Sequence, residues 1–474
     1  MIQANRGISY RDLFVGTEIE VPLLAGETRR YINFDNAAST PPLKSVRDGV
    51  NAFLDHYASV HRGTGFKSQL STWAYERARH QVLRFVGADR RAHVCIFGKN
   101  TTEALNKLAR RLRFQPGDVI LTTEMEHHSD DLPFRGVARV VHAGCRDDGR
   151  LDEDDFDRKL EALRGQVRLV TVAGASNVTG YLNPIRRMAA KAHAAGAWFS
   201  VDAAQLAPHR GLDVRPLEDP EHFDFVALSG HKLYAPFGTG ALIGRRDVFE
   251  EGDPDQRGGG TVEIVTLDDV VWSGPPDRDE AGSPNVVGAV ALGLALETLE
   301  AIGMDRVAAH EAELTAHALA RLAGIKGLRV FGDPRPETAA ERLGAIPFQV
   351  DGLSHFLVAA ILGHEFGIGV RSGCFCAHPY VLRLLGLSGG EARAVRDRMA
   401  AHDKREMPGL TRISFGLYNT LDEVDRFAEA LEQITRGRYS GRYLQDTATG
   451  EFTPQGWQPD FEAHMAIGQG LASV

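Results

Sequence analysis

Between about residue 90 and residue 245, short apolar runs alternate with stretches of helical period. His93–Phe97 predicts a strand, Gly98 a turn and Thr101–Leu112 a helix. Val119–Thr122, Val137–His142, Val167–Val172, Ala197–Val201, Phe223–Leu228 and Ala241–Gly244 predict further strands, separated by helices such as Arg186–Ala195. The runs are rich in β-branched residues and almost continuously apolar, which suits strands covered on both faces of a mainly parallel sheet. The alternation predicts an α/β domain.

From about residue 300 the texture becomes helix-rich. Met304–Leu322 is amphipathic, and Ile346–Val350, Ser354–Glu365, Gly369–Arg371, Thr411–Phe415 and Leu421–Arg436 follow, a pattern that fits a smaller α+β domain. Leu387–Pro408 is charged and reads as a helix plus loop. The chain then divides into an N-terminal segment (1–30), a large domain (31–300), a small C-terminal domain (301–436) and an extension (437–474). That extension is polar and Gly-rich, either packed on the body or a loose tail.

Length and composition narrow the classes. A chain of 474 residues exceeds one ordinary core. With 43% hydrophobic and 25% charged residues it has the make-up of a soluble globular protein. The net charge of -9 and the short basic runs argue against nucleic acid as a partner. Arg110–Arg111 with Arg113 reads as one solvated helix face. No window reaches the ~18 uninterrupted apolar residues of a membrane helix, and Glu18, Glu20 and Glu27 break the order of a signal peptide. The expected location is cytoplasmic. Four cysteines are too few for a disulfide scaffold, and Cys95 and Cys145 read as small buried hydrophobes.

Ligands of doubly wound sheets bind beyond the carboxyl ends of the strands, and four polar clusters fall at such ends. Asn100-Thr-Thr-Glu103 opens a helix, whose free N–H groups either seat a phosphate or are merely capped by Thr101 or Thr102. Glu124-Met-Glu-His-His-Ser129 offers a histidine ring to stack on a flat cofactor, or is a solvated loop. Metal binding is disfavoured there, because adjacent residues point apart and no third ligand with metal spacing is near. Asp202 ends an apolar strand, where a carboxylate needs a partner: a helix N-cap or a protonated pyridine nitrogen. Lys232, in Ser229-Gly-His-Lys-Leu-Tyr234, comes directly after a strand and is poised for a depressed pKa and Schiff-base chemistry.

Together with Asp35-Asn-Ala-Ala38, Val60-His-Arg-Gly63, Thr101-Thr-Glu-Ala104, Ser176-Asn-Val-Thr-Gly180, Glu280-Ala-Gly-Ser-Pro-Asn285, Arg371 to Pro379 and Arg412 to Thr420, these clusters keep one family's order. The chain, from about Tyr31 to Arg436, resembles class V aminotransferase-fold enzymes, most closely SufS-like cysteine desulfurases and selenocysteine lyases. The resemblance implies the fold type I architecture of pyridoxal-phosphate (PLP) enzymes. It implies that Lys232 carries PLP as a Schiff base and later moves protons at the substrate α-carbon. Asp202 would pair with the pyridine nitrogen, Gln205 with the phenolic oxygen, and His127 would stack on the ring. Thr101, Thr102, Ser229 and His231 would hold the phosphate. Ser283 stands where the family places a hydroxyl that reaches the phosphate of the other subunit, so a homodimer is implied. Asn177 and Arg412 would bind the substrate carboxylate, a guanidinium fork matching it geometrically.

The fold alone selects no reaction. Val370-Arg-Ser-Gly-Cys-Phe-Cys-Ala-His-Pro379 puts Cys376 in register with the persulfide-forming cysteine of SufS-like desulfurases. The implied reaction takes L-cysteine to alanine, with sulfur left on Cys376 for an acceptor protein. Arg371 and His378 are candidate sources of the positive charge that favours thiolate. Cys374 is an extra thiol; the Gly-Cys-Phe-Cys string is similar to that of molybdenum-cofactor sulfurases, and Cys374 either relays sulfur or fills space. Gly65 replaces a histidine frequent in SufS-like enzymes, and the Pro379–Thr411 link is longer than theirs. Two alternatives stand: a class V reaction that does not use the thiol (selenocysteine lyase, carbon–sulfur lyase, epimerase or aminotransferase), and a scaffold without catalysis.

Overall fold

The computed structural model describes residues 9–465. The large sheet has seven strands: β1 (His93–Gly98), β2 (Val119–Thr123), β3 (Arg139–Ala143), β4 (Val167–Ala173), β5 (Trp198–Asp202), β6 (Phe225–Ser229) and β7 (Gly240–Arg245). Their order is β1-β7-β6-β5-β4-β2-β3, and only β7 runs against the rest. Alternate residues feed two cores. Leu121, Val170, Val172, Phe199, Val201, Val226 and Leu228 pack on one side, and Ile120, Leu169, Phe225 and Ala227 on the other. A side-chain period of two with both faces buried produces the unbroken apolar runs seen in the sequence.

The strands and helices expected in this region agree with the observed elements to within one or two residues. Helix α1 (Thr101–Arg111) covers one face through Ala104, Leu105, Leu108 and Ala109, while α2 (Ile185–Ala194) and α3 (Val286–Ile302) lie on the other. Cys95 and Cys145 are buried as expected. Arg111 is a correction. It is buried with Asp279 at 3.0 Å and donates to the carbonyls of Phe249, Glu251 and Asp253, so only Arg110 and its exposed neighbours fit a solvated face.

The smaller sheet is antiparallel, with β8 (Leu328–Val330), β9 (Ala345–Val350), β10 (Arg371–Gly373) and β11 (Leu410–Ser414) in the order β8-β9-β11-β10. Helices α4 (Met304–Ala323), α5 (His355–Phe366) and α6 (Leu421–Thr435) complete its core through Leu319, Ile361, Phe427 and Leu431. Ile32 and Phe34 belong to this core, because Ile32–Asn33 pairs in parallel with Ile368–Gly369. The expected strand Gly369–Arg371 is therefore two short ones serving different partners. Gly389–Ala400 is the helix expected in the long link, opened by a Ser388/Glu391 capping box. The extension is packed as far as Trp457, whose ring meets His364: Tyr443–Gln445 and Phe452–Pro454 form a hairpin, and Glu365 accepts from Tyr443 Oη at 2.8 Å and the Ser440 amide at 2.8 Å, while Phe461–His464 is exposed. No single helix among the described residues is long and apolar enough to cross a membrane.

Candidate active site

The carboxyl ends of β1, β2, β4, β5 and β6 open onto a cavity of about 460 Å³, roofed by the segment after β10. Every catalytic, cofactor-binding or substrate-binding residue expected from sequence lines it except Ser283. Ser283 lies exposed in the turn before α3, away from the cavity of its own chain.

Lys232 ends a tight turn after β6. Gly230 is required there, since a Cβ would come within 2.7 Å of the Thr239 carbonyl oxygen. Burial lowers the Lys232 ammonium below its ordinary pKa, Asp202 acting against it. No hydrogen bond or ion pair engages Nζ among the described residues. Asp202 is buried at the end of β5, accepts from the Ala204 amide at 2.9 Å through Oδ1, and caps no helix. Its pKa is raised by burial, with Lys232 opposing. Gln205 Nε2 donates to the Ala37 carbonyl at 2.7 Å, which ties this wall to residues 35–38.

A hydroxyl cradle surrounds the start of α1. The Thr101 amide donates to Ser229 Oγ at 2.9 Å, the two hydroxyls lie 2.8 Å apart, and Thr102 Oγ1 meets Ser129 Oγ at 2.7 Å. The cap itself is Asn100, whose side chain accepts from the Glu103 amide, so neither threonine is spent on capping. Ser129 and Asn100 also line the cavity, and both stand inside the polar clusters visible in the sequence. His127 accepts from the Ser129 amide at 3.1 Å through Nδ1, which leaves its proton on Nε2. Burial first, then Lys232, His128 and Arg412, lower its pKa to about 3, so its ring is neutral. His231 is likewise lowered to about 4 by burial and Lys232.

Opposite stands Arg412, 2% exposed, in the middle of β11. It donates to the Asn177 carbonyl at 2.7 Å and to Asp35 at 3.2 Å, while Nε is buried without a partner among the described residues. Burial lowers its pKa to about 10. Arg371 is more exposed and lies 3.4 Å from Asp35. The Asn177 side chain donates to the Phe375 carbonyl at 2.7 Å. Phe375 and Cys376 both adopt left-handed backbone angles, φ +53° and +54°, a conformation that costs non-glycine residues energy and is held here by their surroundings. The His128 amide donates to the Cys376 carbonyl at 2.7 Å, and Cys376 is exposed at the cavity mouth.

One expectation changes here, and of the two readings of Cys374 the space-filling one fits. His378 supplies no charge to Cys376: burial lowers its pKa, and its ring stacks on His128 with centroids 4.9 Å apart. Cys374 is buried, its Sγ donates to the Pro408 carbonyl at 3.1 Å, and burial pushes its thiol up to about 12. It fills space.

A family model described as Aminotransferase class-V matches residues 32–427. The chain belongs to the class V aminotransferase family. Its relatives within that family include a cysteine desulfurase of Dickeya dadantii, 36% identical over 421 residues, covering 87% of this chain and 93% of the relative. A cysteine desulfurase of Haloferax volcanii is 33% identical over 434 residues, with coverage of 88% and 93%. Among solved class V structures, the apo cysteine desulfurase of Thermococcus onnurineus NA1 superposes with a TM-score of 0.76 at 34% identity, covering 86% of this chain and 95% of that one. The S-sulfonic acid form of the Escherichia coli cysteine desulfurase CsdA gives a TM-score of 0.72 at 29% identity, covering 86% and 96%. The large parallel sheet with its antiparallel β7, and the appended small sheet, are the class V fold in this chain.

Proposed function

We propose that this class V enzyme is a PLP-dependent cysteine desulfurase that moves the sulfur of L-cysteine onto Cys376. The observation that carries the reading is that Lys232, Arg412 and Cys376 line one cavity. The residues present fit PLP: among the described residues Lys232 Nζ has no competing partner and Asp202 keeps Oδ2 without a protein donor, and the hydroxyl cradle lies where a helix offers free N–H groups. Lys232 would bear the cofactor, Asp202 would face its ring nitrogen, Gln205 its phenolic oxygen and His127 its flat face. Thr101, Thr102, Ser229 and His231 would hold the phosphate. When bound, PLP supplies an electron sink at the substrate α-carbon.

The chain's own groups do the rest. Arg412, with Asn177 beside it and Arg371 at the rim, holds the substrate carboxylate, which orients the sulfur toward Cys376. Lys232 takes and returns the proton at the α-carbon. The Cys376 thiolate attacks the substrate sulfur, so a sulfur–sulfur bond forms as the carbon–sulfur bond breaks. Cysteine and enzyme thiol become alanine and enzyme persulfide, with atoms and electrons balanced. The exposed Cys376 then offers its outer sulfur to an acceptor protein. We further propose a homodimer in which Ser283, displayed away from its own cavity, completes the partner's phosphate site, and a cytoplasmic location where these thiols stay reduced.

The test is product analysis with L-cysteine, with mass detection of the peptide spanning Cys374 and Cys376. Stoichiometric alanine with one added sulfur on Cys376 supports the proposal. Undiminished sulfur transfer by Cys376→Ser overturns it, and activity of that variant on selenocysteine alone identifies a lyase instead.

A further inference from the structure

At the amino ends of the same strands, remote from Lys232, His193, His222 and Asp224 place their ligating atoms within 4.8 Å of one another. His193 is next to last in α2, and the other two occupy the loop that enters β6. The Phe199 amide near the start of β5 donates to Asp224 at 2.8 Å. Asp202, at the other end of β5, is three residues on, about 10 Å at ~3.3 Å per residue. This cluster takes no part in the proposed desulfurase chemistry.

Its hydrogen bonds do not balance with neutral rings. His193 lies between the Pro220 carbonyl, 2.7 Å from Nδ1, and Asp224 Oδ2, 2.9 Å from Nε2. His222 lies between the Asp219 carbonyl, 2.7 Å from Nδ1, and Asp224 Oδ1, 3.2 Å from Nε2. All four partners are acceptors, whereas a neutral imidazole carries one N–H. Satisfying them with protons requires two imidazolium rings stacked 4.0 Å apart at 11°, with Arg245 as a third cation 3.2 Å from Asp224. A divalent ion removes the conflict. Each Nδ1–H keeps its carbonyl, which fixes the tautomer, and each Nε2 lone pair turns to the metal beside the carboxylate. Two Nε2 protons leave as one doubly charged ion enters, so net charge is conserved. His93 adds a second sign. Its Nδ1 meets the Asp89 carbonyl at 3.2 Å, and its Nε2 is buried without a partner among the described residues, on the strand residue opposite Arg245.

We propose that His193, His222 and Asp224 form a structural site for one divalent transition-metal ion of the zinc class. Two imidazoles and a carboxylate suit that class, at ligand distances of about 2.0–2.2 Å. The near-parallel rings must splay for both lone pairs to converge. His193, at a helix end with 18% of its side chain exposed, has room to turn. Arg245 can release Asp224, because it also holds Asp247 at 2.6 Å. The site would pin the end of α2 and the 219–224 loop to the sheet.

None of the three residues belongs to the polar clusters at the carboxyl ends of the strands, so the site stands apart from the desulfurase machinery. The experiment uses the untagged holoenzyme carrying Cys376→Ser, which removes the active-site thiol as a competing ligand. Equilibrium dialysis against Zn²⁺, with elemental analysis, should find one ion per chain. Co²⁺ in its place should give the visible bands of a low-symmetry, few-coordinate site. The change His193→Gln at the helix end and the double change His193→Gln/His222→Gln should lower the Zn²⁺ affinity at least about tenfold and abolish the Zn²⁺-dependent rise in Tm. The PLP absorbance of each variant reports that it is folded. Absence of a bound ion in the parent, or full retention in the folded double variant, overturns the proposal.

Discussion

Arg412 Nη1 donates to the main-chain carbonyl of Asn177 at 2.7 Å, joining β11 of the smaller sheet to the loop after β4 of the large sheet. Asn177 in turn donates to the Phe375 carbonyl, one residue before Cys376. The proposed carboxylate anchor and the proposed sulfur acceptor are thus two bonds apart in one network. Moving either disturbs the other.

Arg412→Lys keeps a positive charge but loses the planar fork. A charge-assisted bond of about 1.5–3 kcal/mol corresponds to a roughly 10- to 150-fold fall in kcat/KM for L-cysteine. The loss should fall mainly on KM, with PLP absorbance unchanged. Steady-state kinetics checks this, and an unchanged KM would separate Arg412 from the substrate carboxylate.

The two thiols of the Gly373–Cys376 segment should part cleanly. Cys374→Ala removes a buried sulfur and should cost about 1 kcal/mol of stability by leaving a small void, while the persulfide still forms on Cys376. Cys376→Ser should keep stability and lose persulfide. Denaturant midpoints and peptide masses measure both.

His127 carries a pH signature. Its folded pKa of about 3 lies below the ~6.5 of an unfolded histidine. Between these values the unfolded chain binds the extra proton, so His127 withdraws stability as pH falls from about 6.5 toward 3 and costs nothing by this route above that window. The stability of the wild type relative to His127→Phe should therefore decline from pH 7.5 to pH 5. Urea midpoints for the two proteins across that range provide the check, and a constant difference would contradict the assignment.

Asp202→Asn retains shape and removes the charge that would hold the cofactor's ring nitrogen protonated. Uptake of PLP should persist, while exchange of the substrate α-proton with deuterated solvent should slow about 100-fold, or ~2.7 kcal/mol in barrier. Mass analysis of recovered substrate reads the exchange directly.

The strands were legible because burial on both faces leaves nearly pure apolar runs, as in Val167–Val172 and Phe223–Leu228. Asp202, Lys232 and the Thr101–Thr102 pair were legible because polar residues directly after such runs need a purpose at a sheet's carboxyl edge. The burial of Arg111 was not legible, since it depends on Asp279 and three carbonyls far away in sequence. The split of Gly369–Arg371 was hidden for a similar reason: half of that run pairs with Ile32–Asn33, more than 300 residues earlier.

By itself, the order of residues determined the alternation of strands and helices and the polar residues that close the strands, Asp202 and Lys232 among them. These are local properties, written in periodicity, whereas the register of Cys376 rested on the resemblance of its motif to that of SufS-like desulfurases. Tertiary structure alone decided that Cys374 is sealed under Pro408 while Cys376 is open, that His378 is a neutral stacking partner, and that His193 meets His222 around Asp224. Burial and charge pairing depend on which distant segments come together, and no window of the chain contains that information.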